Sequence, residues 1–542
     1  MLPSALAQAP ALEPAQLPAP APSPDPVVPS FAALEAAGAT VGEVRIVGLD
    51  IFDLEDPKEN HLLFRLANRL HIQTRPGVIE RSLLFKRGDP LSVRLIEETE
   101  RLLRSNRYLY DVKISPLAYR DGVVDIEVQT RDTWSLDAGF SFGRAGGANS
   151  SRISLREYNL LGTGIYLNLG RSSTVDRSGV DFQIQNNHAF DGWTALRYSR
   201  ARNSDGTRQA ASVLRPFYAL DARWSAGASV SKDDRIDAVY RAGAIASQYR
   251  HRQDQAEAFG GWSQGLVDGR THRYSIGVTA SDDGYRPEPG RVTPARLPSD
   301  QKIVAPFFRY ELVEDAFEKM GNRDQIGRPE FFALGFGASL QLGRALSGLG
   351  SGQDLWLYSG SVRNAFEPFA DHDLLASVAL SGQYGGGAVR RQLLSAAARY
   401  YLPVNKRFLL YGAASADVLK NPDLPDLLTL GGDNGLRGYP LRYQTGERRA
   451  LFTAEVRAYT DPYLFRLFRI GGAAFYDIGR AWGGPDANPV NAGWLSNAGV
   501  GLRFFSVRSA FGNVLHVDLA IPLNRDANIK AVQFLVKSKT SF

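Results

Sequence analysis

Residues 431–440 of this 542-residue chain read Gly-Gly-Asp-Asn-Gly-Leu-Arg-Gly-Tyr-Pro. They lie in a polar, glycine-rich segment, 420–447, and strand patterns surround this segment almost to the C-terminal Phe542. Within 431–440, Arg437 is the single arginine, and it stands among small residues. We therefore predict a loop that folds inward into a barrel and does not extend into water.

The strand patterns around this loop have one apolar and one polar face. In 448–460, the alternate residues Phe452, Ala454, Val456 and Ala458 are apolar, whereas Glu455 and Arg457 share the other face. Lipid outside a barrel and water inside it require this alternation. Roughly twenty such segments follow Trp134, and they are longer than the strands of a soluble β-sandwich. We predict an all-β fold class, a C-terminal transmembrane antiparallel β-barrel with one small α+β domain.

The composition excludes several other classes of protein. The chain has no cysteine for disulfides or thiolate metal sites, and its net charge of +6 is scattered, so we expect no nucleic-acid partner. The histidines do not occur at the spacing of metal ligands, so we expect no metal and no cofactor. Two G-x-S-x-G strings, at 139–143 and 261–265, lie inside strand patterns, where a hydrolase nucleophile does not work. We predict that the protein is not an enzyme.

The first 132 residues divide into two parts. Residues 1–40 are rich in proline and alanine, and we predict a disordered linker there. Within it, Ser4-Ala5-Leu6-Ala7-Gln8 has the Ala-x-Ala pattern of a signal-peptide remnant. Residues 41–132 predict a compact α+β unit with the order β-α-α-β-β. Its predicted elements are a strand at 44–47, helices at 76–85 and 92–105 with Ser92 as N-cap, strands at 109–114 and 123–128, and an insertion at 53–74.

This unit resembles a POTRA domain, with "FKRGDPLS" before its second helix and "LLRSNRYLYDVKI" after it. Further motifs follow in order: "REYNLLGTG" (156–164), "LRGY" (436–439), "TAEVRA" (453–458), "FYDIGRAW" (475–482), "NAGVGLRFF" (497–505) and "HVDLAIPL" (516–523). From about residue 41 onward, the chain thus resembles the outer-membrane assembly superfamily that includes BamA, TamA and the two-partner-secretion transporters. The barrel of that superfamily is the bacterial surface antigen type.

The resemblance implies a POTRA-like domain at 41–132 in the periplasm and a barrel of about 16 strands at 133–542 in the bacterial outer membrane. Our pattern count before the long loop exceeds the eleven strands that such a barrel places there. The implied site residues are a loop latch (Leu436, Arg437, Gly438, Tyr439), lumen partners (Glu455, Asp477), a strand motif (Glu157, Asn159, Gly162, Gly164, Gly479) and a C-terminal insertion signal, Phe542.

Strand parity supports the latch independently of the resemblance. Asp477 lies on the same face of its strand as Phe475, and Glu455 lies on the same face of its strand as Arg457. Both carboxylates can therefore point into the lumen from neighbouring strands. The planar fork of Arg437 has enough donors to bridge them. Gly435 and Gly438 allow the loop to turn tightly against the wall.

The function implied by the resemblance is assistance with protein insertion into, or translocation across, the outer membrane. The expected partners are the lipid bilayer, unfolded polypeptide clients that pair with the POTRA-like domain, and accessory periplasmic proteins or lipoproteins. One alternative is a dedicated two-partner-secretion translocator, for which only residues 31–37 could form the plug helix. A passive porin is the other alternative, and it leaves the latch unexplained.

Overall fold

The computed structural model describes residues 28–190, 192–327, 329–369, 371–465, 467–484, 493–506, 508, 510, 513–526 and 529–539. The proposed signal-peptide remnant and Phe542 lie outside these residues. The helices are α1 Phe31–Ala36, α2 Leu62–Leu70, α3 Pro76–Glu80 and α4 Val93–Ser105. None of the described helices has both the length and the apolar character that crossing a membrane requires.

A small α+β domain precedes the barrel. Its sheet contains β1 Thr40–Leu49, β2 Leu109–Arg120 and β3 Val123–Asp132 in the order β1-β3-β2, with β1 parallel to β3 and β2 antiparallel to it. Helix α4 begins at the expected N-cap, where the Ser92 hydroxyl accepts a hydrogen bond from the backbone N–H of Leu95. The five expected elements occur in the expected order, although the helix expected at 76–85 is shorter, at Pro76–Glu80, and two further helices are present. The POTRA assignment itself stays a prediction.

Two helices lie outside the helices expected in the small domain; of these, only residues 31–37 had been considered as a helix, and then as a plug helix. Helix α1 falls inside the proposed linker 1–40, and its Leu34 is buried in the core of the small domain beside Leu103 and Ile126. The ordered domain therefore begins before residue 41. Helix α2 lies inside the proposed insertion 53–74.

The rest of the chain forms a closed antiparallel barrel of 20 strands in chain order, with β27 next to β4. The strands are β4 Leu136–Ala145, β5 Ala148–Glu157, β6 Tyr166–Ser173, β7 Ser178–Ala189, β8 Thr194–Asn203, β9 Gly206–Arg215, β10 Trp224–Arg241, β11 Ala244–Val267, β12 Arg270–Pro287, β13 Gln301–Glu314, β16 Gly337–Ala345, β17 Leu355–Phe366, β18 Asp373–Gly385, β19 Ala388–Pro403, β20 Phe408–Lys420, β23 Arg448–Leu464, β24 Phe468–Trp482, β25 Leu495–Ser506, β26 Val514–Pro522 and β27 Gln533–Lys539. Two short sheets pair β14 Phe317–Gly321 with β15 Pro329–Ala333, and β21 Leu428–Leu430 with β22 Gln444–Gly446.

The expected strand number was wrong, although the class of fold is confirmed. We expected about 16 strands, and the structure has 20, of which 15 precede the long loop. An additional hairpin widens a closed sheet without changing the alternation within any strand. The alternation within single strands therefore predicts that a barrel forms but not how many strands close it. The count of strand patterns before the loop predicted the strand number better than the resemblance did.

The two ends of the barrel differ. We call the end where β4 begins the near end, because it adjoins the small domain, and the opposite one the far end. The outer surface is apolar between them, and aromatic side chains project outward at the near end (Trp224, Trp262) and at the far end (Trp356, Tyr384). Aromatic girdles of this kind mark the two membrane–water interfaces of a transmembrane barrel.

The small domain packs against the near end. The backbone N–H of Arg75 donates to the carbonyl of Gly162 over 2.9 Å, in the turn between β5 and β6. On the other side, the carboxylate of Glu98 accepts a hydrogen bond of 2.9 Å from the backbone N–H of Leu220. Burial raises the pKa of Glu98, against the lowering effect of that hydrogen bond and of Arg101 and Arg94. The domain thus covers part of the near-end mouth.

Candidate functional site: a loop held inside the barrel

The loop between β20 and β23, residues 421–447, enters the lumen from the far end. Its β21–β22 ladder forms the neck, and its tip carries the latch residues. A buried apolar cluster anchors it to the wall; the cluster contains Leu430, Leu436, Tyr439, Tyr443, Ala481, Leu495 and Ile529. Because Leu430 and Leu436 are fully buried in this cluster, the loop is a packed element of the barrel interior.

Arg437 joins the loop to two strands. Its Nε and Nη2 donate to the two carboxylate oxygens of Asp477 over 2.8 and 2.7 Å, and its Nη1 donates to Glu455 over 2.9 Å. The guanidinium also lies over the ring of Phe475, with 3.4 Å between Cζ and the ring centroid. Burial alone would lower the pKa of Arg437, but the hydrogen bonds and charges of Asp477 and Glu455 raise it above its ordinary value.

The structure therefore brings Arg437 of the loop together with the two carboxylates that strand alternation placed in the lumen. Asp477 is fully buried, and Arg437 is 6% exposed. A bidentate, charge-assisted pair in such a place is strong because its partners are pre-aligned and water is excluded. Removal of one partner leaves the other charge buried without compensation.

Asn497 supports the pair, and sequence reasoning missed it as a site residue. Its amide Nδ2 donates to Asp477 over 2.8 Å, and its Oδ1 accepts a 3.1 Å hydrogen bond from the backbone N–H of Gly438. Asn497 is the register partner of Asp477 on the neighbouring strand. Its place in "NAGVGLRFF" was visible in the sequence, but the register that gives it this role was not.

The glycine and tyrosine of the latch fit closely against the wall. A Cβ built on Gly438 lies 2.7 Å from the Cβ of Asn497 and 3.1 Å from the backbone nitrogen of Pro522, so only glycine fits without displacement. The hydroxyl of Tyr439 lies 2.8 and 3.0 Å from the carbonyl oxygens of Ser496 and Asn524. The tip is thereby fixed to β25 and to the connection before β27.

Further charges line the lumen beside the latch. Arg503 and Asp518, on β25 and β26, form a buried pair at 2.5 Å. On β27, the ammonium of Lys537 donates to the carbonyl of Gly432 in the loop over 2.6 Å. A cavity of ≈ 880 Å³ lies between the loop and the first and last strands, with Arg152 and Lys539 in its lining. The loop thus contacts the last strand of the barrel directly.

A second insertion enters the lumen from the near end. The hairpin of β14 and β15, which connects β13 to β16, carries Ile326 into a buried cluster with Tyr401, Leu409 and other wall residues. Arg323 of this hairpin pairs with Asp373 at 2.9 Å. The sequence analysis did not identify this hairpin, because its short strands alternate like those of the wall.

The two insertions meet on one pair of wall residues. Arg457 donates through Nε to Glu455 Oε2 over 2.9 Å and through Nη1 to the carbonyl of Arg323 over 2.9 Å. The other oxygen of Glu455 accepts the hydrogen bond from Arg437. A continuous chain of polar contacts therefore runs from the far-end loop, through Glu455 and Arg457, to the near-end hairpin.

The strand-motif residues lie away from the latch, with one exception. Glu157, Asn159, Gly162 and Gly164 build the near-end turn after β5: Asn159 accepts from the N–H of Gly164 over 2.6 Å and donates to Thr74 of the small domain over 2.8 Å. Gly162 has φ +74°, and a Cβ there would lie 2.3 Å from the carbonyl oxygen of Gln73. These residues hold the small domain against the near end of the barrel. Gly479, the exception, leaves room for Leu430 at the neck of the loop.

The junction of the last and first strands is the weakest in the barrel. Among the described residues, β27 and β4 are paired at one position, Val536 with Arg144. Every other pair of neighbouring strands is paired at seven or more positions, for example β26 with β27. Few ladder hydrogen bonds therefore hold this seam closed.

One protein-family model and several solved structures are similar to this chain. Residues 358–538 match the Omp85 superfamily domain, which confirms the resemblance to the outer-membrane assembly superfamily. No curated protein matches the sequence. Similar solved structures are BamA from Haemophilus ducreyi lacking POTRA domains 1–3 (12% identity, TM-score 0.41, 92% of this chain and 84% of that chain) and CdiB from Acinetobacter baumannii (13%, 0.46, 92% and 74%). CdiB from Escherichia coli is similar too (14%, 0.48, 93% and 77%).

Proposed function

We propose that this chain, an outer-membrane barrel that carries an Omp85 superfamily domain, assists the insertion of other polypeptides into the outer membrane through its β27–β4 seam. The observation that carries this proposal is the single paired position at the seam among the residues that the structure describes. An edge strand with unpaired backbone groups is a template for another strand. Opening this seam breaks far fewer hydrogen bonds than opening any other junction.

The latch fits the same role. Loop 421–447 contacts β27 through Lys537 and Gly432, and its Leu441 N–H donates to the carbonyl of Gly146 in the turn after β4. The loop therefore touches both strands of the seam from inside. Arg437 holds it there, so that the lumen stays filled while the seam exchanges partners.

The small domain is the proposed receiver of clients, with the near end in the periplasm. Strand β2 is an edge of its three-stranded sheet, and Leu117 and Tyr119 on that strand are exposed. An unfolded segment can pair there through its backbone with little sequence specificity. The client then passes to the seam, and its own folding supplies the driving force without a cofactor. Accessory periplasmic proteins or lipoproteins would join at this domain.

A dedicated secretion translocator is the second candidate, because a polypeptide could cross through the lumen instead. The two insertions oppose this path, since the loop occupies part of the lumen at the far end and the hairpin occupies part of it at the near end. Helix α1 packs in the small domain and is not a lumenal plug. The same two insertions disfavour a passive porin, because a porin needs an open lumen.

A reversible lock distinguishes the candidates. The chain has no cysteine, so the double variant Arg144→Cys/Val536→Cys can join the seam by one disulfide between register partners. We expect oxidation to stop the accumulation of several unrelated barrels in the outer membrane, and reduction to restore it. The control is Val500→Cys/Leu519→Cys, which joins the fully paired β25 and β26.

If oxidation of the seam leaves barrel assembly intact and depletion of the chain reduces one secreted protein alone, the chain is a translocator. If neither population of proteins changes on depletion, both functions are wrong.

A further inference from the structure

Helix α2 presents an apolar face that no part of the described structure covers. Leu62, Leu63 and Leu70 are 73%, 74% and 62% exposed. Leu66 is exposed on the same face. Four leucines directed away from the protein on a nine-residue helix are unusual for a surface in contact with water.

The other face fixes the orientation of the helix. The ring of Phe64 stacks on Phe52 with 4.0 Å between centroids. Asn68 accepts from the backbone N–H of Phe52 over 3.1 Å and donates to its carbonyl over 2.8 Å. The leucines are therefore held outward by packing and hydrogen bonds on the opposite side.

The charge of this segment is entirely basic. Residues 61–75 include Arg65, Arg69 and Arg75 but no aspartate or glutamate. Arg65 and Arg69 are exposed and border the leucine face on one side. A strongly amphipathic helix with leucines on one face and arginines beside it is typical of helices that lie in a membrane interface.

The position of α2 matches such an interface. After the helix, His71 contacts Asp132 at 2.9 Å, and Arg75 donates to the carbonyl of Leu161 over 3.1 Å. Before it, Glu59 pairs with Arg508 at 2.7 Å. Both ends of α2 are thus tied to near-end connections, β5–β6 and β25–β26, which lie beside the seam strands.

The lipid-facing surface of the barrel continues toward this helix. Ile153 and Leu155 on β5 face outward, and Leu161 in the near-end turn is exposed as well. We propose that α2 lies in the near-end phospholipid leaflet beside the β27–β4 seam, with its leucines in the acyl boundary and Arg65 and Arg69 on anionic headgroups. This proposal rests on the membrane location of the barrel and does not depend on the insertion activity.

A fluorophore at residue 66 tests the proposal in the full chain. The cysteine-free sequence allows Leu66→Cys to carry a polarity-sensitive dye in vesicles of phosphatidylethanolamine and phosphatidylglycerol. Ile153→Cys, on the lipid-facing wall, is the reference for lipid contact, and Glu97→Cys, exposed on α4, is the reference for water. We expect spin-labelled lipid to quench the dye at 66 and 153 but not at 97, and aqueous iodide to quench only at 97.

Charge reversal gives a second readout. Arg65→Glu/Arg69→Glu should reduce lipid quenching at residue 66 in vesicles with phosphatidylglycerol, whereas Arg45→Glu, on β1, should leave it unchanged. Iodide quenching at 66 in intact vesicles would overturn the proposal. Protection of residue 66 from iodide without quenching by lipid would also overturn the proposal if dilution of the protein abolishes it. The leucine face would then pair with a second copy of the chain.

Discussion

Arg457 donates a 2.9 Å hydrogen bond to the backbone carbonyl of Arg323, and so joins the barrel wall to the near-end hairpin. The same guanidinium holds Glu455, whose second oxygen accepts from Arg437 of the far-end loop. Two insertions from opposite ends therefore depend on one carboxylate. A substitution of Glu455 should therefore affect both insertions, whereas a substitution of Arg437 should affect mainly the far-end loop.

Glu455→Gln should loosen both insertions. The substitution removes the negative charge shared by Arg437 and Arg457 but keeps the size of the side chain. We expect faster hydrogen exchange in loop 421–447 and in 317–333, measured by mass spectrometry. Arg437→Ala should accelerate exchange mainly in the loop. Equal effects of the two variants on the hairpin would contradict the shared role of Glu455.

Arg437→Ala should destabilise the barrel by about 3–5 kcal/mol, the range for breaking a buried ion pair. Asp477 would then be left buried with Asn497 and Thr453 as its remaining side-chain donors among the described residues. Thermal unfolding in detergent measures the loss, and planar-bilayer conductance should increase as the loop leaves the lumen. Arg442→Ala, in the same loop, removes a half-buried pair with Asp176 and should cost much less. Similar losses for both variants would rule out a special role for Arg437.

Gly438→Ala should push the latch off the wall. The new methyl group would meet the Cβ of Asn497 at 2.7 Å, and backbone atoms of Pro522 stand behind it. Overpacking of this kind costs about 1–3 kcal/mol. Thermal unfolding monitored by circular dichroism is the measurement. Gly260→Ala on β11 is the control, because no atom lies within 4 Å of a Cβ built there; an equal loss in that variant would show that the effect is not local to the latch.

The near-end hairpin should open more easily as the pH rises. Burial raises the pKa of Glu330 from 4.5 to about 7, although backbone N–H groups of residues such as Arg323 donate to its carboxylate. The folded hairpin therefore favours the protonated acid. Its stability is highest below about pH 4.5 and falls as the pH rises toward 7, by roughly 3 kcal/mol over the whole window.

Hydrogen-exchange protection factors of residues 317–333 between pH 4 and 8 test this expectation. Glu330→Gln should make the protection independent of pH in this window. Glu318→Gln, exposed on the same hairpin, should keep the wild-type dependence. A hairpin whose protection rises with pH in the wild type would refute the assignment.

The sequence predicted the lumenal face of the latch strands because parity alone decides which side a strand residue faces. That is why Glu455 and Asp477 were found without a structure. The role of Asn497 depends on the register between β24 and β25, which alternation within one strand does not encode. The hairpin 317–333 was missed for a related reason, since a short strand inside the lumen alternates like one in the wall.

Helix α2 was missed although its signal was present. Leu62, Leu66 and Leu70 are spaced by four, and Arg65 and Arg69 repeat with the same spacing beside them. An exposed apolar face conflicts with the expectation for a soluble domain, and the membrane contact that we propose for this helix would resolve the conflict. The geometry of the near end, and not the sequence, supplied that context.

The circumference of the barrel has a consequence for leakage. Barrel diameter grows in proportion to strand number, so a 20-stranded barrel has about 1.6 times the cross-section of a 16-stranded one. The hairpin from the near end is a second element inside this wider lumen. We therefore expect the hairpin and loop 421–447 together to limit leakage, while the barrel offers a longer perimeter to the lipid.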